Sequence, residues 1–225
     1  MNSGERPPGE LGHGIALLHA DEALLVLRKP SGILAVPGRG ADKQDCLSLR
    51  VQRVYPDALI VHRLDMATSG LMVMARGSAI QRVLNAAFAG REVDKRYVAV
   101  VAGTLPRHAD WQEIDLPIVV DWPRRPLRII DAEHGKPSVT RWRALPAAAG
   151  DIAGSTRVEL EPVTGRSHQL RVHLQALGHP ILGDALYAPP AVQALSPRLL
   201  LHACALSLTH PASGQRLNFE DPTPF

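Results

Sequence analysis

Features that mark secreted, membrane-spanning and disulfide-bonded proteins are scarce in this sequence. The 225 residues include only two cysteines, Cys46 and Cys204, which lack metal-ligand spacing and predict a reduced cytoplasmic protein with free thiols. No apolar run reaches the roughly 18 residues of a membrane-spanning helix, so no membrane partner is expected. The first ten residues lack both the basic start and the apolar centre of a signal peptide.

Several catalytic signatures are absent as well. No Gly-x-Ser-x-Gly turn occurs, which argues against a serine hydrolase. His168 and His173 stand five positions apart and would lie on different faces of a helix, whereas zinc-binding pairs use i, i+4 spacing. Pro37-Gly38 predicts a turn and not a phosphate loop, because no Gly-Lys-Ser/Thr ending follows. Because the spacing of His168 and His173 does not suit zinc, we expect no metal site.

The composition is that of an ordinary globular protein, with 45% apolar and 21% charged residues. Residues 1–13 predict a short disordered tail and residues 14–225 a single domain. The net charge is only +3, but six basic residues fall within residues 76–107 and six within residues 122–143. Two such basic segments fit contacts with phosphates. A solvated surface with unrelated charges is the alternative.

Apolar periodicity predicts the main elements. Helices are expected over residues 46–55, 78–90 and 168–177, the last with Ser167 as its N-cap. A loop is expected over residues 188–197. Strands are expected over residues 23–27, 71–75, 95–101, 139–143, 156–160, 199–201 and 205–208. Because strands outnumber helices and do not alternate with them regularly, the predicted class is α+β.

Chemically active side chains are concentrated in residues 62–70. A histidine, an arginine, a carboxylate and two hydroxyls precede a glycine, and an apolar run follows. Asp65 is therefore expected on a loop entering a buried strand, where a scaffold can hold a side chain rigidly. A purely structural Asp65, paired with Arg63 or capping Thr68 and Ser69, is the alternative.

Two other segments carry residues that a core does not need, Lys95-Arg96-Tyr97 and residues 164–173. Arg166 lies at the expected start of a helix, where the helix dipole disfavours a cation unless an anion such as Asp65 or a phosphate is near. Asp65 has no second carboxylate among convincing partners, so glycosidase chemistry lacks a candidate. A single carboxylate next to an arginine suits a nucleophile.

Taken in order, these motifs resemble the RluA family of pseudouridine synthases. The central motif is residues 62–70, and Ser167 stands where the family usually has threonine. Other similar segments are residues 28–38, 95–97, 135–140, 165–173, 178–184 and 201–203. The resemblance thus covers about residues 14–220.

The resemblance implies an isomerase that converts uridine in RNA to pseudouridine. It also implies the family fold, a bent, mixed and mostly antiparallel central sheet flanked by helices, with the active cleft across its middle. Asp65 would be the nucleophile, Tyr97 would stack on the target base, and Arg166 would pair with Asp65 and orient it. The substrate-binding residues would be Arg63, which helps to extrude the base, with His62, Thr68, Lys95, Arg96 and Leu201.

The resemblance also bears on partners and cofactors. No cofactor or metal is implied, because one bond to the base is exchanged for another without redox chemistry. Only 13 residues precede Gly14, so no S4 RNA-binding domain is expected, and the similarity is to stand-alone members of the family. Such members modify hairpin loops of 23S rRNA and of tRNA anticodon arms. The chain is expected to act as a monomer.

Two other functions remain open from the sequence. The basic segments fit a non-catalytic RNA-binding module on the same fold equally well, although such a module has no need of Asp65, Tyr97 and Arg166. A nucleoside hydrolase acting on free uridine is a second alternative, in which the basic segments would have no role.

Overall fold

The computed structural model describes residues 9–12, 14–108, 110–148 and 150–225. The strands, in chain order, are β1 (Gly9–Glu10), β2 (Ala16–Ala20), β3 (Leu24–Lys29), β4 (Ala58–Ile60), β5 (Ser69–Arg76), β6 (Asp94–Ala102), β7 (Gln112–Asp115), β8 (Ile118–Val120), β9 (Arg128–Ile130), β10 (Val139–Ala144), β11 (Ser155–Pro162), β12 (Leu201–Thr209) and β13 (Arg216–Glu220). The helices are α1 (Leu47–Gln52), α2 (Gly77–Ala89), α3 (Gln169–Ala176) and α4 (Pro190–Gln193), with one 3-10 turn at Ala41–Lys43. This content confirms the α+β class.

Contacts along the chain divide it into two units. The first comprises Met1–Asp94 and Ala203–Pro222, and the second comprises Lys95–His202 and Thr223–Phe225. Most of the predicted N-terminal tail, residues 1–8 and 13, lies outside the described residues. Within the rest of that segment, Gly9–Glu10 forms β1 and pairs with β2.

The first unit is built on buried apolar strands. Its strand order is β1-β2-β3-β5-β12, with β4 on β5 and β13 on β12. β3 and β5 pair antiparallel from Leu24↔Ala75 to Lys29↔Gly70, and alternate residues of both strands form one core with α2. The predicted helix over residues 78–90 is confirmed, because its apolar stripe covers this face of the sheet.

The second unit contains the sheet β6-β11-β10-β7 and the separate hairpin β8-β9. Each of these pairs is antiparallel. Helix α3 packs against β9, β10 and β11. Its buried residues include Leu170, Val172 and Leu174.

Three details of the predicted elements are wrong. The Ser167 cap is misplaced by one residue, because His168 occupies the N-cap of α3 with φ of 59°. The expected loop over residues 188–197 contains α4, which begins at Pro190, a residue whose fixed φ suits a first helical turn. The two strands expected over residues 199–201 and 205–208 are replaced by the single strand β12, which spans Leu201–Thr209 and excludes residues 199–200. Among the described residues, no helix has the length and apolar character needed to cross a membrane.

Candidate active site

Asp65 lies on the loop between β4 and β5, as the apolar run after it predicts. The loop turns sharply at this residue, since the backbone N–H of Thr68 donates to the carbonyl oxygen of Asp65 at 3.1 Å. Asp65 is half-buried, Arg63 is exposed and Thr68 is buried. The carboxylate thus belongs to a short, hydrogen-bonded turn immediately before the buried strand β5.

A fully buried lysine holds this turn in place. Lys29, the last residue of β3, has no exposed surface. Its ammonium donates to the carbonyl oxygens of Pro30 at 2.8 Å, Ile33 at 2.8 Å and Met66 at 3.0 Å. These bonds satisfy the three donors of an ammonium group, so its burial is compensated by hydrogen bonds. One of them reaches the residue directly after Asp65.

Two further bonds join the same segments. The Gly32 N–H also donates to Met66 O, at 2.8 Å, and the Ser31 hydroxyl donates to Ala67 O, at 2.7 Å. Residues 29–33 therefore form a cradle for the backbone that follows Asp65. Sequence reasoning noted this motif but gave Lys29 no place in the site. The available signal was a lysine that ends an apolar strand directly before a proline.

His62, predicted to bind substrate, supports the same loop. Its Nε2 accepts a hydrogen bond from the backbone N–H of Val73 at 2.9 Å, so in this arrangement Nε2 carries no proton. The ring also stacks on Phe88, with centroids 4.5 Å apart. These contacts fix the loop to β5 and α2.

Gly70 allows the loop to enter β5. Its φ of +116° disfavours other residues, and a Cβ at this position would collide with the backbone oxygen of Ala203 on β12. The glycine that ends the central motif is therefore required by close backbone approach.

In the second unit, the side chains of Tyr97 and Arg96 lie on opposite faces of the sheet. Tyr97 on β6 lies opposite Leu160 on β11, while Val98 lies opposite Glu159. Because side chains alternate along a strand, Tyr97 and Lys95 share one face of this sheet and Arg96 points to the other. The three adjacent residues that the sequence groups together are thus divided between two faces.

The face that carries Arg96 is a ladder of opposite charges. Arg96 forms ion pairs with Glu161 and, at 3.8 Å, with Glu159, and its guanidinium lies 4.9 Å from the centre of the Trp111 ring. Arg143 pairs with Glu159 at 2.6 Å and covers the same tryptophan at 4.6 Å. Part of the predicted basic character is therefore balanced by carboxylates.

Arg166 is exposed on the loop before α3. Its Nε and Nη2 both donate to Pro137 O at 3.3 Å. The loop itself is fixed by the buried side chain of Gln169, whose oxygen accepts from the Arg166 N–H at 3.0 Å and from the Thr164 hydroxyl at 2.8 Å. A side chain within the helix thus organises the turn that the sequence assigned to a Ser167 cap.

The Gln169 contacts continue into the sheet. Its amide donates to Val139 O at 2.9 Å and to the Thr140 hydroxyl at 3.0 Å. Thr140 in turn contacts Nδ1 of His173 at 2.9 Å, and Nε2 of His173 lies 2.9 Å from Leu116 O. Since a carbonyl only accepts, Nε2 carries the proton and Nδ1 accepts from Thr140. Burial lowers the pKa of His173, and the hydrogen bond to Leu116 only partly offsets it.

Leu201 begins β12 and is buried. The residue before it, Leu200, accepts a hydrogen bond from the Val100 N–H at 3.1 Å, which ties this end of the strand to β6. Among the described residues, no group of three or more histidine, cysteine or acidic side chains is arranged to hold a metal ion.

Comparison with known proteins identifies the family. A model of the family described as RNA pseudouridylate synthase matches residues 23–176. The chain belongs to this family. The matched range includes Asp65, Tyr97 and Arg166, and the predicted membership is confirmed.

Full-length relatives of the pseudouridylate synthase family support the assignment. The chain is 49% identical to the Escherichia coli K12 protein named Dual-specificity RNA pseudouridine synthase RluA, over 94% of each chain. It is 48% identical to the protein of the same name from Yersinia pestis, over 91% of this chain and 97% of that one.

Solved structures of the family share the fold. Human RNA Pseudouridylate Synthase Domain Containing 1 matches with a TM-score of 0.76 and 29% identity, over 98% of this chain and 87% of that chain. Human RNA Pseudouridylate Synthase Domain Containing 4 matches with a TM-score of 0.70 and 26% identity, over 92% and 88%. The pseudouridine synthase fold expected from the sequence is thereby confirmed.

Proposed function

We propose that this chain isomerises uridines to pseudouridine in hairpin loops of both 23S rRNA and the tRNA anticodon arm. Support for an RNA isomerase comes from the family, and support for two substrates comes from relatives at 48–49% identity whose names state dual specificity. These relatives match over nearly their whole length, so no large segment distinguishes them from this chain.

One observation supports Asp65 as the nucleophile more than any other. Residues 29–33 donate hydrogen bonds to the backbone oxygens of Met66 and Ala67, the two residues after Asp65. The backbone oxygen of Asp65 itself accepts a hydrogen bond from the Thr68 N–H within the turn. A structural carboxylate does not need its neighbours to be fixed in this way, whereas a nucleophile gains from preorganisation.

The proposed reaction exchanges one bond to the base for another. The target nucleotide leaves the stack, and the Asp65 carboxylate adds to C1′ of the ribose or to C6 of the ring. The N1–C1′ bond breaks, the base turns, and a C5–C1′ bond forms. C5 loses its proton, N1 gains one, and release of Asp65 completes the isomerisation, with no change in oxidation state.

The other roles follow the family motifs. We assign Tyr97 to stacking on the target base, which is worth about 1–3 kcal/mol, and Arg166 to orienting the nucleophile. Arg63, which is exposed, is assigned to extruding the base. We further propose that residues 14–225 act as one catalytic domain, as a monomer and in the cytoplasm, where ribosomal and transfer RNAs are found.

Purified protein and an Asp65→Asn variant test the function. Wild type is expected to form pseudouridine in transcripts of 23S rRNA and tRNA, detected by carbodiimide treatment and primer extension. Asp65→Asn should bind both RNAs with unchanged affinity and yield no product. Asp57→Asn is the matched control, because Asp57 pairs with Arg76 on the surface of the same unit, and it should stay active.

Other results would contradict the proposal in different ways. An active Asp65→Asn variant would remove the nucleophile assignment. Binding without product by the wild type would favour the non-catalytic RNA-binding module. Turnover of free uridine with none on RNA would favour the nucleoside hydrolase.

A further inference from the structure

The turn between β8 and β9 exposes a large aromatic side chain. Trp122 retains 63% of its accessible surface, more than any other exposed large apolar residue of the described chain, and residues 123–126 around it are also exposed. Single exposed apolar residues are common, so the indole alone indicates nothing. Its surroundings are more informative.

The turn is rigid. The buried carboxylate of Asp121 accepts from the Arg124 N–H at 3.2 Å and from its Nε at 2.7 Å. The Asp121 N–H donates to Leu127 O at 3.1 Å, and the Leu127 N–H donates to Arg124 O at 3.0 Å. The indole is therefore presented on a preorganised turn, which lowers the ordering cost when a partner binds.

A guanidinium lies over the indole. Arg125 is 4.3 Å from the centre of the Trp122 ring, and its Nε donates to Trp122 O at 3.3 Å. A planar cation beside an exposed indole offers stacking area and positive charge together. The pair is called the Trp122–Arg125 platform below.

The hairpin carries excess positive charge. Residues 118–130 contain three arginines and one acidic residue, Asp121, which is already paired with Arg124. Arg128 donates to the carbonyl oxygens of Pro126 and Leu127, at 3.3 and 3.2 Å, and both of these acceptors are uncharged. In contrast to Arg96 and Arg143, Arg125 and Arg128 form no ion pair with any carboxylate in the part of the chain that the structure describes.

The hairpin is joined to the loop that carries Arg166. The Arg128 N–H donates to the Tyr187 hydroxyl oxygen at 3.0 Å, and that hydroxyl lies 2.6 Å from Nδ1 of His168. His168 is the N-cap of α3, two residues after Arg166. Tyr187 thus bridges the platform-bearing hairpin and the loop of a predicted catalytic residue.

We propose that the Trp122–Arg125 platform binds an unpaired nucleotide of the substrate RNA other than the target uridine. The indole would stack on the base and Arg125 would contact the adjacent phosphate. An apolar membrane or protein partner fits less well, because the only other large apolar residue exposed on this hairpin is Ile129, at 37%. The proposal rests on the proposed function for the identity of the partner as RNA.

The test compares substitutions on the β8–β9 hairpin of the protein. The substrate is an RNA hairpin that corresponds to a tRNA anticodon arm. Trp122→Ala should raise KM and Kd by about 5- to 150-fold with kcat unchanged, and Trp122→Phe should recover most of the loss. Ile129→Ala is the matched control and should change neither constant. Arg125→Ala should lower the slope of log Kd against log salt by about one, while Trp122→Ala should leave that slope unchanged.

A scan of abasic positions through the unpaired loop identifies the nucleotide. An RNA that lacks the base at one loop position should bind the wild-type protein more weakly than the intact RNA does. The Trp122→Ala variant should bind these two RNAs with equal affinity. Unchanged KM and Kd in Trp122→Ala would overturn the platform proposal. A loss of affinity in Trp122→Ala that no abasic position reproduces would also overturn it. Neither result would contradict the proposed catalytic function. If the wild-type protein bound the RNA hairpin without forming pseudouridine, the proposed function would be overturned. The comparison of Kd values would still show whether the Trp122–Arg125 platform binds RNA.

Discussion

The ammonium of Lys29 and the carbonyl oxygen of Met66 are joined by a hydrogen bond of 3.0 Å. This bond connects the end of a core strand to the residue that follows Asp65. A buried cation outside the predicted catalytic set therefore positions the backbone of the proposed nucleophile. The loop that carries this carboxylate is thereby held against β3 and β5, whose paired residues are mostly buried.

Replacing Lys29 should affect both stability and catalysis. Lys29→Met keeps an unbranched chain but leaves the oxygens of Pro30, Ile33 and Met66 without this donor. We expect the free energy of unfolding in urea to fall by about 2–5 kcal/mol and kcat to fall with it. Ser31→Ala, which removes only the bond to Ala67 O, should cost about 1 kcal/mol. Equal stability of Lys29→Met and wild type would show that the cradle does not depend on the ammonium.

The two faces of β6 predict opposite phenotypes for neighbouring residues. Tyr97→Leu should lower kcat/KM by about 5- to 150-fold, since it removes the proposed stacking on the base. Arg96→Ala should leave kcat/KM unchanged and destabilise the fold by about 1–2 kcal/mol, since it breaks ion pairs with Glu159 and Glu161 and the contact with Trp111. Steady-state kinetics and urea denaturation separate the two effects. A loss of activity in Arg96→Ala without loss of stability would support a substrate-binding role for Arg96.

Local patterns were sufficient for the elements around Asp65. The apolar run over residues 71–75 and the helical stripe of residues 78–90 are signals carried by adjacent residues, and both elements are present. The positions of Asp65 before a strand and of Gly70 at its entry follow from the same signals. Asp65 could thus be placed on its loop from the sequence.

Features that depend on contacts distant in sequence could not be predicted in this way. The start of α3 is set by Gln169, whose partners Thr140 and Thr164 lie on other segments, so local cap preferences pointed to Ser167 instead. The face that Arg96 occupies depends on the register of β6 with β11. Lys29 looks like a surface residue until the carbonyl groups that surround it are known.

Gln169 should control the loop that carries Arg166. Gln169→Ala removes partners from Arg166 N, Thr164, Thr140 and Val139 O at once. We expect a loss of about 2–4 kcal/mol in unfolding free energy and a 10- to 100-fold lower kcat, since the loop is no longer held in one position. Gln175→Ala is the matched control on the exposed face of α3 and should behave as wild type. Wild-type kcat in Gln169→Ala would mean that the Arg166 loop needs no such support.

His173 should make stability depend on pH. Burial lowers the pKa of His173 in the folded protein, whereas the unfolded chain has the ordinary histidine pKa of about 6.5. Between these two values the unfolded state binds the extra proton, so stability falls as pH is lowered below about 6.5, by up to about 1.4 kcal/mol per pH unit. The loss stops once the pH is below the lowered pKa, where both states are protonated.

Urea denaturation from pH 7.5 to 5 measures this effect against His173→Gln, a neutral replacement. The stability of wild type relative to this variant should shrink as the pH falls, because His173 takes up a proton in the unfolded chain while its burial keeps it neutral in the folded protein. His108→Gln, the same substitution at an exposed position, is the matched control and should be as stable as wild type at pH 7.5. A constant difference between wild type and His173→Gln across this range would show that another group carries the pH dependence.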